Sequence, residues 1–279
     1  MKKSAYLILL LMFCVSCQPV YKSQVQKHGQ KIYNMRYGPD DQQTMDVFIP
    51  REISQNKPFA IIVHGGAWSV GNKRNIRMTQ RYLYKKGIPS VNINYRLVSD
   101  ENHLDEQLED INLVVKSLDR ELPKYGIKPE KYTLIGESSG AHIALLYGYA
   151  HAKKIKDIIA FFPPTDFTVK DQNKAIAQLS LPIMKKLLGY GSKEEVEKAL
   201  IKASPIHNVT NVPTLIFQGT WDFIVNKKQA ISLDSALAAK KVKHKLVLVK
   251  NGTHFMRLNP NTRRHTLYPE MVKWIEGAK

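Results

Sequence analysis

Residues 132–144 read Tyr132-Thr133-Leu134-Ile135-Gly136-Glu137-Ser138-Ser139-Gly140-Ala141-His142-Ile143-Ala144. The opening four residues are a short, mostly apolar run of the kind carried by buried parallel strands. A helical stretch, Ala141 to Ala152, begins at the other end. Between them Gly136 to Gly140 spell G-x-S-x-G, in the strand–turn–helix setting that gives this short pattern its meaning. A serine on so sharp a turn needs small neighbours, which Gly136 and Gly140 supply. The turn lifts the Ser138 hydroxyl above the sheet, and the helix N-terminus directs amides at any negative charge developing there. A plain glycine-rich turn is the bland alternative.

Outward from this stretch the same alternation recurs. Ile32 to Tyr37 and Thr44 to Ile49 alternate around the turn Gly38-Pro39-Asp40-Asp41 and predict an antiparallel pair. Buried-type strands are predicted at Phe59 to Val63, Ser90 to Asn94, Tyr132 to Ile135, Ile158 to Phe162, Thr214 to Phe217 and Leu246 to Val249. Helical patterns fall at Glu106 to Arg120, Ala141 to Ala152, Lys227 to Ala239 and Tyr268 to Glu276. The fold class is therefore α/β, a mostly parallel eight-stranded sheet with helices on both faces. Residues 163–212 contain two helical segments, Lys174 to Leu188 and Lys193 to Lys202, and no strand. They predict a small helical insertion above the sheet end where ligands bind.

A nucleophilic serine requires a base, an orienting acid and donors for an oxyanion. The donors are expected after strand Phe59 to Val63, where His64-Gly65-Gly66-Ala67-Trp68 lets the backbone come close. The amides of Gly66, Ala67 and Ser139 are the candidates. His64 is expected to fix the loop, and Trp68 to pack beneath it or to line the pocket. The acid and base are expected just past the carboxyl ends of later strands. Asp222 stands in Gly219-Thr220-Trp221-Asp222, and His254 in Asn251-Gly252-Thr253-His254-Phe255. Asp166, in Pro163-Pro164-Thr165-Asp166, is the rival acid. His142 reads as a structural histidine of the serine helix, and Arg96 with Asp110 as a structural pair.

With these segments in the order Ser, Asp, His, the chain resembles the α/β-hydrolase superfamily. The likeness is to its esterase/lipase branch with an HGG[GA]W loop, and it covers about residues 31–277. That branch includes hormone-sensitive-lipase-like esterases, small bacterial carboxylesterases, feruloyl and acetyl-xylan esterases, and kynurenine formamidases. Tyr37-Gly38 with Met45-Asp46-Val47-Phe48-Ile49-Pro50, Asn94-Tyr95-Arg96-Leu97 and Ala203-Ser204-Pro205-Ile206 carry the resemblance further. It implies an α/β-hydrolase fold, a triad of Ser138, Asp222 and His254, and oxyanion donors at Gly66, Ala67 and Ser139. Ala67 replaces the third loop glycine, Ser139 replaces the usual alanine, and Val98-Ser99-Asp100-Glu101 replaces a proline–acid pair.

The N-terminus reads as targeting. Lys2 and Lys3 precede the apolar run Ala5 to Val15, which is short for a bilayer span. Cys14-Val15-Ser16-Cys17 resembles a lipoprotein cleavage box, so residues 1–16 are expected to be a signal peptide and Cys17 the lipidated first residue. An ordinary secretory signal or an uncleaved anchor are the alternatives. Residues 17–30 form a tether, and 31–279 the hydrolase domain. Both cysteines of the chain, Cys14 and Cys17, lie in this N-terminal segment, which leaves the domain without thiol or disulfide chemistry.

The net charge is +18 over 279 residues, and loss of residues 1–16 removes two lysines and no acid, leaving +16. No metal-ligand spacing, G-x-G-x-x-G or Walker loop appears, so neither metal nor nucleotide cofactor is expected. No nucleic-acid-binding motif accompanies the charge. The expectation is a serine carboxylic-ester hydrolase acting on short-chain or carbohydrate-linked esters at a bacterial cell envelope, held to the membrane by its lipid. An aryl formamidase and a non-catalytic binding protein of the same fold are the alternatives. The sequence leaves the oligomeric state open.

Overall fold

The alternating runs on either side of Gly38–Asp41 pair as strands β1 (Gln30–Arg36) and β2 (Thr44–Ile49), antiparallel, with Gln30 opposite Ile49 and Arg36 opposite Thr44. The computed structural model describes residues 29–53, 58–169, 184–189 and 193–277. The signal segment, Cys17, nearly all of the tether and most of the segment Lys174 to Leu188 lie outside the described residues. The remaining strands are β3 (Phe59–Val63), β4 (Ser90–Ile93), β5 (Tyr132–Glu137), β6 (Ile155–Phe161), β7 (Thr214–Gly219) and β8 (His244–Val249). They form one eight-stranded sheet in the order β1-β2-β4-β3-β5-β6-β7-β8, and β4, β3, β5, β6, β7 and β8 run parallel. This is the predicted α/β-hydrolase architecture.

Two-residue periodicity sorts the strand side chains onto two apolar layers. Phe59, Ile61 and Val63 of β3 face one layer, while Ala60 and Ile62 face the other. The first layer packs under α2 (Leu104–Glu121), α3 (Ser139–Ala150) and α5 (Lys227–Ala239); the second packs under α1 (Arg77–Lys85) and α6 (Tyr268–Ile275). Helix α3 lies in the middle and is buried from Ser139 to Tyr149, so its apolar residues run all round. Within the insertion, α4 spans Lys193–Ala203, and a short helical stretch covers 184–188.

Two elements depart from the sequence reading. Helix α1 was not expected, because its inward face is partly polar. Gln80 Nε2 donates to the Asp46 carbonyl at 2.6 Å, and the Thr79 and Tyr268 hydroxyls lie 3.0 Å apart, both contacts buried. Strand β6 begins at Ile155, three residues early, because Asp157 enters the sheet paired with the Thr133 hydroxyl at 2.6 Å. Among the described residues, no helix is long and apolar enough to cross a membrane.

Candidate active site

Ser138 sits between β5 and α3 with φ 53° and ψ −120°, a region that residues other than glycine rarely occupy. Close packing holds it there. A Cβ on Gly136 would lie 2.3 Å from the Gly140 carbonyl oxygen, and one on Gly140 would lie 2.3 Å from that of His64. Only glycine at both positions lets β5, α3 and β3 approach this closely. The Ser138 amide donates to the Phe161 carbonyl at 2.9 Å, fixing the turn against β6.

The structure brings Ser138, His254 and Asp222 together from the carboxyl ends of β5, β8 and β7. His254 Nε2 is 3.0 Å from Ser138 Oγ, and Nδ1 is 2.8 Å from Asp222 Oδ2. Asp222 has a fully buried side chain whose oxygens accept four hydrogen bonds. Oδ1 takes the amides of Ile224 and Val225, each at 2.9 Å; Oδ2 takes Gln218 Nε2 at 3.0 Å and the imidazole. A carboxylate so placed accepts only, so His254 donates from Nδ1 and presents Nε2 as the acceptor for the serine hydroxyl. Phe162 lies against the imidazole with ring centroids 4.6 Å apart.

The loop after β3 abuts this turn. A Cβ on Gly65 would lie 3.2 Å from Ser138 Cβ and 2.7 Å from the Glu137 carbonyl oxygen. Gly66, Ala67 and Trp68 follow with φ of 136°, 48° and 62°, and the Gly66 carbonyl accepts the Val70 amide at 2.9 Å. Ala67 thus adopts the left-handed conformation that a glycine would take more readily. Ser139 is the first residue of α3, where an amide has no intrahelical partner. The backbone therefore carries Gly66, Ala67 and Ser139 to the same side of the sheet as Ser138.

The supporting residues take the structural places expected of them. Trp68 packs beneath the loop. Its Nε1 donates to His142 Nδ1 at 3.0 Å, so the opposite nitrogen, Nε2, carries the proton that goes to the Ala203 carbonyl at 2.7 Å. His142 thus joins the loop, the serine helix and α4, and burial lowers its pKa to about 4. Burial likewise lowers His64 to about 4; its ring stacks on Tyr95 with centroids 4.5 Å apart. Arg96 meets the buried Asp110 at 2.7 Å, and Gln43 Nε2 donates to the same carboxylate. The rival acid, Asp166, accepts from the amide and hydroxyl of Thr168 at 2.8 and 2.6 Å. His254 makes its carboxylate contact with Asp222 instead.

Sequence reasoning missed three contributors. Gln218, the donor to Asp222, is the buried polar residue before the last of β7, and only burial marks it out. Gln107 of α2 donates to the carbonyls of Trp68 and Arg96, each at 3.0 Å, and fixes the back of the loop. Arg257 forms a buried ion pair with Glu137, beside Ser138. The replaced segment after Leu97 also has a definite role: Val98 donates to the Trp68 carbonyl at 3.0 Å, and Asp100 pairs with Lys186 of the insertion at 2.8 Å.

The BD-FAE family model matches residues 45–237, well over half of the chain, including His64 to Trp68, Ser138 and Asp222. The chain belongs to the BD-FAE family. The match of this BD-FAE chain ends before His254, which geometry alone connects to the other two. Among curated relatives, a probable isoprenylcysteine α-carbonyl methylesterase, ICME, of Oryza sativa subsp. japonica is 25% identical over 245 residues, 81% of this chain and 58% of that protein. The non-reducing polyketide synthase stbA of Stachybotrys bisbyi is 31% identical over 134 residues, 44% of this chain and 6% of that protein. The BD-FAE chain spans less than two thirds of either relative. Among solved structures, a truncated carbohydrate esterase from gut microbiota superposes with a TM-score of 0.77 at 19% identity, covering 90% of this chain and 96% of that one. Esterase B from Lactobacillus Rhamnosis (HN001) gives 0.75 at 19% identity, covering 92% and 88%. At these identities the likeness is one of fold.

Proposed function

We propose that the chain is a serine carboxylic-ester hydrolase. The observation that carries this reading is the continuous hydrogen-bonded line from Asp222 through His254 to Ser138, at 2.8 and 3.0 Å. Ser138 Oγ attacks the ester carbonyl while His254 Nε2 takes its proton. Asp222 holds the ring and stabilises the imidazolium. The amides of Gly66, Ala67 and Ser139 receive the negative charge on the tetrahedral carbonyl oxygen. The imidazolium then protonates the departing alcohol, and a water activated by the same imidazole releases the acid.

The substrate class proposed is a short-chain or carbohydrate-linked acyl ester. Trp221 and Phe223 flank Asp222, Phe255 follows His254, and all three side chains are largely exposed. Exposed aromatic faces at the mouth suit the apolar face of a sugar ring, and they leave room for a bulky alcohol part. The superposable carbohydrate esterase points the same way by fold. The same rim would accept an aryl formamide, the second reading.

The proposal includes the cell address. The apolar run Ala5 to Val15 and Cys17 support export and lipidation at a bacterial envelope. Incorporation of labelled fatty acid that disappears in Cys17→Ala is the expected result for that part.

Labelling by a fluorophosphonate probe tests the chemistry. The wild-type chain should label and Ser138→Ala should not; equal labelling of both would overturn the hydrolase reading. A panel of nitrophenyl esters of increasing chain length, acetylated xylan, methyl ferulate and formylkynurenine tests the class. Turnover of short or glycan esters above the formamide is expected, and the reverse order would select the formamidase.

A further inference from the structure

The two ends of the parallel sheet hold their lysines in different places. At the carboxyl end, the stretches 64–72, 162–169, 219–226 and 251–256 that carry the site residues contain no lysine or arginine. The basic residues of this end, Lys73, Lys227, Lys250 and Arg257 among them, border those stretches, and the insertion carries seven lysines of its own. At the amino end, the connections 84–89, 151–156 and 239–245 lead from helices into β4, β6 and β8. These three hold nine lysines and no aspartate or glutamate. Lys85, Lys153, Lys154, Lys240, Lys241 and Lys243 among them are exposed. Of the nine, Lys156 pairs with Asp157 at 3.8 Å and Lys245 with Glu270 at 2.5 Å, and the connection into β5 carries Glu130 beside Lys124, Lys128 and Lys131. Glu121 is engaged by Arg120 and Lys124 at 2.9 and 2.6 Å, and Asp119 meets only Lys154 of the nine, at 3.1 Å.

The strand register also places the start of the domain at this end. Gln30 pairs with Ile49, Phe48 pairs with Ser90, and Ser90 is the first residue of β4, level with Ala60 of β3. The 28 residues preceding Gly29, with the apolar run and Cys17, therefore join the domain on its lysine-rich pole, opposite Ser138. Twelve peptide steps separate Cys17 from Gly29, a reach of at most roughly 40 Å. A tether of that length allows many orientations, and a charged pole within a Debye length of the surface, ~8 Å at physiological salt, selects among them.

We infer that the amino end of the sheet is a docking surface for an anionic lipid bilayer, and that docking turns the Ser138 mouth away from the membrane. The chemistry is charge complementarity between clustered ammonium groups and lipid phosphates, reinforced by attachment of the chain at the same pole. The aromatic residues Trp221, Phe223 and Phe255 then face outward, where a soluble or polymeric ester can reach them. The inference concerns placement of the domain and holds whichever ester it cleaves.

Lysine footprinting of the full chain, expressed with its own N-terminal segment, tests this on phosphatidylcholine vesicles with and without 30% phosphatidylglycerol. On anionic vesicles the acetylation of Lys85, Lys153 and Lys241 should slow several-fold, while Lys227 and Lys250 at the site end stay reactive and turnover of a soluble ester is unchanged. The triple variant K85E/K153E/K241E should lose at least about tenfold in its preference for anionic over neutral vesicles, with an unchanged melting temperature. Among the described residues, these three side chains make no hydrogen bond, ion pair or ring contact, so a folding defect is not expected, and the melt checks it. Equal footprints on both vesicle types would overturn the inference. So would protection of Lys227 and Lys250 with loss of turnover, which would place the mouth against the bilayer. Protection by soluble heparin but not by vesicles would instead assign the pole to a polyanion.

Discussion

Arg257, three residues beyond His254, forms an ion pair through its Nε with the carboxylate of Glu137, the residue before Ser138. The arginine is 2% exposed, and its Nη2 also donates to the Asn75 carbonyl at 3.1 Å. One guanidinium therefore joins the serine turn, the histidine loop and the segment behind the β3 loop. These pieces come from three distant parts of the chain and must keep their spacing within a few tenths of an ångström for the Ser138–His254 hydrogen bond to survive.

Removing one partner of a buried pair strands the other charge, at a cost of ~3–5 kcal/mol. Arg257→Gln should therefore lower the melting temperature clearly, and fluorophosphonate labelling should slow at temperatures where the variant is still folded. Reversal in the double variant Glu137→Gln/Arg257→Gln should recover part of the stability, because no uncompensated charge remains. A single variant as stable as wild type would mean that the pair holds nothing in place.

The backbone of Ser138 stores strain, since a non-glycine residue at φ 53°, ψ −120° costs ~1–3 kcal/mol. Ser138→Gly and Ser138→Ala both abolish the hydroxyl, yet only glycine relaxes the turn. Urea denaturation should find the glycine variant about 1 kcal/mol more stable than the alanine variant, after the greater unfolded-state freedom of glycine is set against the relief. An alanine variant at least as stable would show that the turn is unstrained.

His64 and His142 are held neutral by burial, each with a pKa lowered to about 4 from 6.5. Their folded values lie below the unfolded ones, so this contribution is whole above pH 6.5 and disappears as pH falls toward 4. Each histidine adds up to about 1.4 kcal/mol per pH unit to the acid slope of stability in that window. In His142→Gln the slope between pH 6 and 4.5 should be shallower by roughly one proton. Identical slopes would contradict the buried neutral imidazole.

Asp157 behaves in the opposite sense. Burial raises its pKa to about 6, against a hydrogen bond from Thr133 and the charges of Lys156 and Lys243, which lower it. The folded value exceeds the unfolded 3.8, so the group favours the fold fully below pH 3.8 and loses that contribution as pH rises through 6. Asp157→Asn keeps an acceptor for Thr133 and removes the buried charge. It should gain up to roughly 3 kcal/mol over wild type at pH 8 and nothing near pH 4, as read by denaturant midpoints.

Eight strands and five of the helices were legible in the sequence because each carries one plain signal: a short apolar or alternating run, or apolar residues at helical spacing. Helix α1 was not, because Thr79 and Gln80 fill its inward face and bond to partners far along the chain. The same holds for Gln218, Gln107 and Arg257, polar residues whose meaning lies in the atoms they meet.

The order Gly136-x-Ser138-x-Gly140, Asp222, His254 determined by itself which residues stand past the ends of which strands, since strand ends and tight turns are local properties of the chain. Tertiary structure decided the rest. Asp222 rather than Asp166 reaches His254, because β7 and β8 are neighbours and their end loops meet, with the Trp221 amide donating to the Gly252 carbonyl at 2.9 Å. The register of β1 and β2 likewise decided that the chain enters on the lysine-rich pole, opposite the site. Composition counts charges without regard to position, and only the sheet gathers the nine lysines of 84–89, 151–156 and 239–245 at one end.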